Sequence, residues 1–138
     1  MPNQGYRVFV SHGTCDSWVA AQIARAVGEA GAHPFLDETD IPKGANIRQR
    51  IHDEIRRSDE LIALFTPLSS KRSWVWGEIG AVWGRRIPVV AVFYGMNASD
   101  LDDSGQGKAI LEDINLLELN DFNAYAIQLQ KRVRDSSQ

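Results

Sequence analysis

Three stretches of this chain are apolar without interruption and too short to be helices: Val8-Phe9-Val10, Leu61-Ile62-Ala63-Leu64-Phe65 and Val89-Val90-Ala91-Val92-Phe93. A strand with one wet face would alternate apolar and polar residues, so an unbroken run requires burial on both faces. Residues 34–36 and 114–119 make two weaker strands. Between them lie segments of helical period: 17–30, with Val19, Ile23, Ala26 and Val27; 46–57, with Ile47, Ile51 and Ile55; 71–83; and 122–133. Strand and helix alternate five times, the pattern of a parallel sheet covered by helices. The expected fold is α/β, a flavodoxin-like three-layer sandwich with a five-stranded parallel sheet in the order 2-1-3-4-5 and helices on both faces. Asp16 or Ser17 is positioned to cap the first helix, and Gly31 stands where a C′ glycine ends it. Residues 94–109, rich in Gly, Asn, Ser and Asp, read as a loop.

The 138 residues suit one domain with one core. A net charge of −3 without a basic stripe argues against nucleic-acid binding. Cys15 is the single cysteine, so no internal disulfide can form. No apolar run is long enough for a membrane span, and the first residues lack the basic and apolar regions of a secretory leader. The expected setting is cytoplasmic, with no membrane partner. His12, His33 and His52 have no metal-ligand spacing with Cys15 or a carboxylate, so no metal site is expected.

In an open α/β sheet, ligands bind beyond the carboxyl ends of the strands, where the strand order reverses. The loops there would be 11–16, 37–45, 66–73 and the segment from Tyr94 onward. Ser11 and His12 fall in the first. Adjacent residues on an extended strand point to opposite faces, which argues against a serine–histidine catalytic pair. Trp74 and Glu78 are four residues apart at the start of a helix, hence on one face and one turn apart, while Val75, Ile79 and Val82 carry the core stripe. An aromatic plane beside a carboxylate suits a nucleoside, and a carboxylate near an anomeric carbon can stabilise an oxocarbenium-like transition state. The plainer alternatives are a surface glutamate favourable to the helix dipole and a half-buried packing tryptophan. The glycines Gly77, Gly80 and Gly84 match no phosphate-binding fingerprint and suit close helix packing.

Four motifs, in order, resemble a TIR domain. They are Val8-Phe9-Val10-Ser11-His12; Phe35-Leu36-Asp37 through Gly44; Ser73-Trp74-Val75-Trp76-Gly77-Glu78; and Leu119-Asn120-Asp121-Phe122, the last in the style of bacterial members. The resemblance covers nearly the whole chain and implies a single domain over 1–138 with its core at about 6–134. It implies NAD+ nucleosidase activity, releasing nicotinamide and leaving ADP-ribose or a cyclic or conjugated isomer, as a step in bacterial anti-phage immune signalling. NAD+ is then a substrate, and no cofactor is implied. Carried over by residue, Glu78 is catalytic, Trp74 lines the pocket, and Ser11, His12, Asp37 and Gly44 border it. Asp40, Ile41, Pro42 and Lys43 form the loop that meets a second copy of the chain. The implied partners are NAD+, a homo-oligomer formed through TIR–TIR contacts, and a separate effector that senses the product.

A TIR interaction module that scaffolds partners and leaves Glu78 unused is the alternative from another class. A receiver-like reading needs an acidic pair after the first strand and an aspartate ending the third. Those positions hold Ser11-His12 and Thr66-Pro67.

Overall fold

The computed structural model describes residues 5–36, 53–67, 87–96 and 115–136. Its five strands are β1 (Arg7–Ser11), β2 (His33–Leu36), β3 (Glu60–Phe65), β4 (Val89–Phe93) and β5 (Asn115–Glu118). They form one sheet in the order β2-β1-β3-β4-β5, and every neighbouring pair is parallel. This is the expected flavodoxin-like order. β1 runs one residue further than expected, to Ser11, and β3 begins at Glu60.

β2 accommodates a proline because it is an edge strand. His33 N–H donates to Tyr6 O at 2.7 Å. Donor directions alternate along a strand, so the position of Pro34, which has no N–H, faces the open edge.

Two helices, α1 (Ser17–Glu29) and α2 (Phe122–Ser136), share one face of the sheet. Ala20, Ile23 and Val27 of α1 and Phe122, Tyr125 and Leu129 of α2 lie at helical spacing and are buried against Val8, Val10, Ile62, Leu64, Val90 and Val92. Each fully buried Val, Leu or Ile in this layer contributes about 1.5–3 kcal/mol. The alternate strand residues face the other way, and there Phe9 stacks on Phe35 and Phe65 on Phe93. The helical residues 53–57 precede β3 and bury Glu54 and Ile55. Right-handed crossovers assign them to the face opposite α1, because the step from β2 to β3 runs across the sheet in the reverse direction to the step from β1 to β2.

α1 ends as its sequence requires. Gly31 N–H donates to Gly28 O and Ala32 N–H to Val27 O, the paired bonds of a Schellman motif. Gly31 has φ +97°, and an added Cβ would sit 3.3 Å from Val133 Cγ1 on α2. The helix stop and the α1–α2 contact therefore demand glycine together.

Below the sheet, at the amino ends of the strands, a charged side chain is fully enclosed. Glu60 is 0% exposed. Its carboxylate accepts Tyr6 Oη at 2.7 Å, Arg132 Nε and Nη2 at 2.9 and 3.0 Å, and the hydroxyl of Tyr125. Burial is the main cause that pushes both phenols well above the usual tyrosine range, with the Glu60 charge and hydrogen bonds adding to it. For Arg132 burial pulls downward, and the hydrogen bonds and charge of Glu60 outweigh it, so its pKa is raised. This cluster joins the start of β1, the start of β3 and α2.

Candidate functional site

At the opposite, carboxyl edge, β1 and β3 lie side by side where the strand order reverses, with Ser11 in register with Ala63. Ser11 and His12 end β1 here and are both buried; His12 is 1% exposed. His12 Nδ1 lies 2.8 Å from Gly13 O. A carbonyl only accepts, so Nδ1 carries the hydrogen, and this bond fixes the ring's orientation.

Beyond His12 the chain makes a 3-10 turn, Thr14–Asp16, and enters α1. Asp16 occupies the N-cap position, yet its side chain makes no capping hydrogen bond. Its carboxylate instead accepts Thr66 Oγ1 at 2.7 Å, from the residue that follows β3. Of the two residues offered as the cap, Asp16 does not act as one: its side chain joins the loop after β1 to the loop after β3, across the switch point. Thr66 is 4% exposed, so the bond is shielded on its threonine side.

The exit from β3 is held from its other side too. Tyr94 N–H donates to Phe65 O at 3.0 Å. Gly95, at φ +76°, lies against Pro67, whose Cδ would be 3.6 Å from an added Cβ. Tyr94 itself is 50% exposed, and Trp18, in the first turn of α1, is 74% exposed. The amino end of α1, with its partial positive charge, lies at this same edge. The described edge therefore holds a buried serine and histidine, a hydroxyl–carboxylate clasp between two loops, and the exposed Tyr94 and Trp18.

A family model for the TIR domain matches residues 8–132. The chain belongs to the TIR family. It is similar to the probable 2′ cyclic ADP-D-ribose synthase BdTIR of Brachypodium distachyon, with 28% identity over 98 residues, 70% of this chain and 44% of that protein. The chain thus spans less than half the length of the curated relative it matches. Among solved structures, it resembles a metazoan TIR-STING receptor from C. gigas, with a TM-score of 0.69 and 22% identity, covering 94% of this chain and 41% of the receptor. It also resembles the TIR domains of the activated Roq1 resistosome, with a TM-score of 0.66 and 17% identity, covering 96% of this chain and 99% of that one. At such identities the structural likenesses establish the fold.

Of the sequence-predicted site residues of this TIR domain, Ser11 and His12 stand together at the end of β1. Glu78, Trp74, Asp37, Asp40, Ile41, Pro42, Lys43 and Gly44 lie outside the described residues. Asp16, Thr66 and Tyr94 complete the described part of the edge. Sequence reasoning offered Asp16 or Ser17 as the cap, and left Thr66 and Tyr94 as parts of loops. The available signal was position: each directly follows a strand or the short turn after it on the carboxyl edge. Among the described residues, no group of three or more His, Cys, Asp or Glu could hold a metal ion. No described helix is long and apolar enough to cross a membrane.

Proposed function

We propose that this TIR domain is an NAD+ nucleosidase that cleaves the bond between nicotinamide and ribose. One observation carries the reading: Trp74 and Glu78, at the one-turn spacing that suits a nucleoside, lie within the span matched by the TIR family. The relative whose own name is a probable 2′ cyclic ADP-D-ribose synthase supports the same chemistry.

The chemistry needs few groups. Nicotinamide in NAD+ is cationic and leaves as a neutral ring, taking the electron pair of the C1′–N bond. No general acid is needed to expel it. The Glu78 carboxylate stabilises the positive charge that develops on C1′ and the ring oxygen. Water adding to C1′ and losing a proton gives ADP-ribose. A hydroxyl or ring nitrogen of the same molecule gives a cyclic isomer, and an external nucleophile gives a conjugate. Trp74 packs on a flat ring of the substrate, and Ser11, His12, Asp37 and Gly44 border the site. Asp40, Ile41, Pro42 and Lys43 meet a second copy of the chain and complete the site by self-association. The setting we propose is cytoplasmic anti-phage immune signalling, with the product read by a separate effector.

The test is incubation of purified, concentrated protein with NAD+, with products separated and weighed. Nicotinamide released by the wild type and abolished in Glu78→Gln supports the reading, and the mass of the co-product distinguishes hydrolysis, cyclisation and conjugation. No turnover by protein that is concentrated and clustered shifts the reading to an interaction module.

A further inference from the structure

We infer that Asp16 and Thr66 are positioning residues for the proposed reaction: through the carbonyl of Gly13 they hold the His12 imidazole in one orientation and one tautomer. The inference rests on the NAD+ reading, in which His12 borders the site. Its starting point is a run of three hydrogen bonds. Thr66 Oγ1 donates to Asp16 Oδ2 at 2.7 Å. Asp16 N–H donates to Gly13 O at 3.0 Å and closes the 3-10 turn. His12 Nδ1 meets the same carbonyl at 2.8 Å. A carbonyl oxygen has two lone pairs, so Gly13 can accept from the turn and from the ring at once. The last residue of that turn is tied by its side chain to the exit of β3.

Burial gives this run its weight. Thr66, Gly13 and His12 are all buried. Hydrogen bonds shielded from water are electrostatically stronger, and bonds in series polarise one another. The tautomer of a neutral imidazole follows from the hydrogen bonds its ring makes. The Gly13 carbonyl selects the form with its hydrogen on Nδ1, which leaves Nε2 as the acceptor. The turn bond fixes that carbonyl relative to the start of α1. The bond from Thr66 fixes the turn relative to β3, the central strand, across the point where the strand order reverses. If the clasp opens, Gly13 O can shift, and the ring is then free to turn and to exchange its hydrogen between the two nitrogens.

The experiment records nitrogen NMR spectra of the histidine rings in mildly alkaline buffer for wild type, Thr66→Val, Thr66→Ser and Asp16→Ala as full chains. His12→Asn identifies the His12 signals. The same samples, scaled to folded fraction by circular dichroism, give kcat and KM for nicotinamide release from NAD+. Wild-type His12 is expected to show two well-separated ring signals, a protonated Nδ1 and an unprotonated Nε2. Valine matches threonine in shape and lacks the hydroxyl, whereas serine keeps it. Thr66→Val and Asp16→Ala are therefore expected to draw the two signals together, and Thr66→Ser to keep them apart. Misaligning one hydrogen-bonding group is expected to raise KM by about 2- to 10-fold in Thr66→Val and Asp16→Ala, with kcat changed less and Thr66→Ser near the wild type. A clasp that only joins two loops would lower the melting temperature and leave the ring signals and KM per folded molecule unchanged. Ring signals unmoved in Thr66→Val and Asp16→Ala, a wild-type ring protonated on Nε2, or an unchanged KM overturns the inference and leaves the NAD+ reading standing. A wild type that releases no nicotinamide overturns both.

Discussion

Replacing Glu60 by glutamine keeps the shape of the side chain and removes its charge, and the enclosed cluster at the amino edge sets the consequence. The carboxylate is 0% exposed and accepts from Tyr6, Tyr125 and both Nε and Nη2 of Arg132. The amide keeps one acceptor oxygen, and its N–H groups can be met by the tyrosine hydroxyls but not by the donor-only guanidinium of Arg132, which loses its counter-charge. Removing one partner of a buried ion pair costs about 3–5 kcal/mol, because the other charge is left uncompensated. The Arg132 side chain is 33% exposed and can turn toward water, which places the expected loss at the lower end, about 3 kcal/mol. For a chain of this size that is a fall of about 10 °C in melting temperature. In urea, with a slope of about 2 kcal/mol/M, the midpoint falls by about 1.5 M. Tyr125→Phe should cost only about 1 kcal/mol, since it removes a donor and leaves Glu60 with the others. The assay is urea unfolding of both single variants and the double variant. A loss below about 1 kcal/mol for Glu60→Gln would give the cluster no more weight than a surface ion pair and refute this reasoning.

The same cluster makes the protein sensitive to alkali. Tyr6 and Tyr125 have folded-state pKa values above that of an unfolded tyrosine. Their stabilising contribution is therefore complete below about pH 10 and lost as pH rises past that value toward the folded pKa values. Above pH 10 each phenol adds a slope that approaches about 1.4 kcal/mol per pH unit, and stability measured from pH 9 to 11 should fall less steeply in Tyr125→Phe than in the wild type. Equal slopes would contradict the assignment. Gly31→Ala places a side chain at φ +97° and a Cβ 3.3 Å from Val133 Cγ1, so thermal unfolding should show a loss of about 1–3 kcal/mol, and an unchanged midpoint would contradict the glycine requirement.

The sheet was legible because its strands are written in local pattern. Unbroken runs such as Leu61 to Phe65 can only be buried on both faces, and five strand–helix repeats leave few parallel topologies. Gly31 was legible for the same reason, since a helix stop is a local matter. The polar pairings were not. Glu60 reads as a charged residue bounding a strand, and only partners 54, 65 and 72 positions away make it a member of the sheet. Asp16 has the composition of an N-cap, and its true partner is 50 positions away. Side chains that bridge elements obey geometry that periodicity does not encode. At the carboxyl edge the sequence named Ser11 and His12, and the structure adds that both lie below the surface, held among the strand ends.

The central claim is that one carboxylate, Glu78, cleaves NAD+. The most direct measurement is the rate of nicotinamide release per molecule across a range of protein concentrations, for the wild type and for Glu78→Gln. The account predicts release that rises more than in proportion to protein, as self-association completes the site, and that disappears in Glu78→Gln although the variant melts like the wild type. Release that persists in Glu78→Gln would contradict the assignment of Glu78. Absence of release from the wild type at every concentration would contradict the enzyme itself.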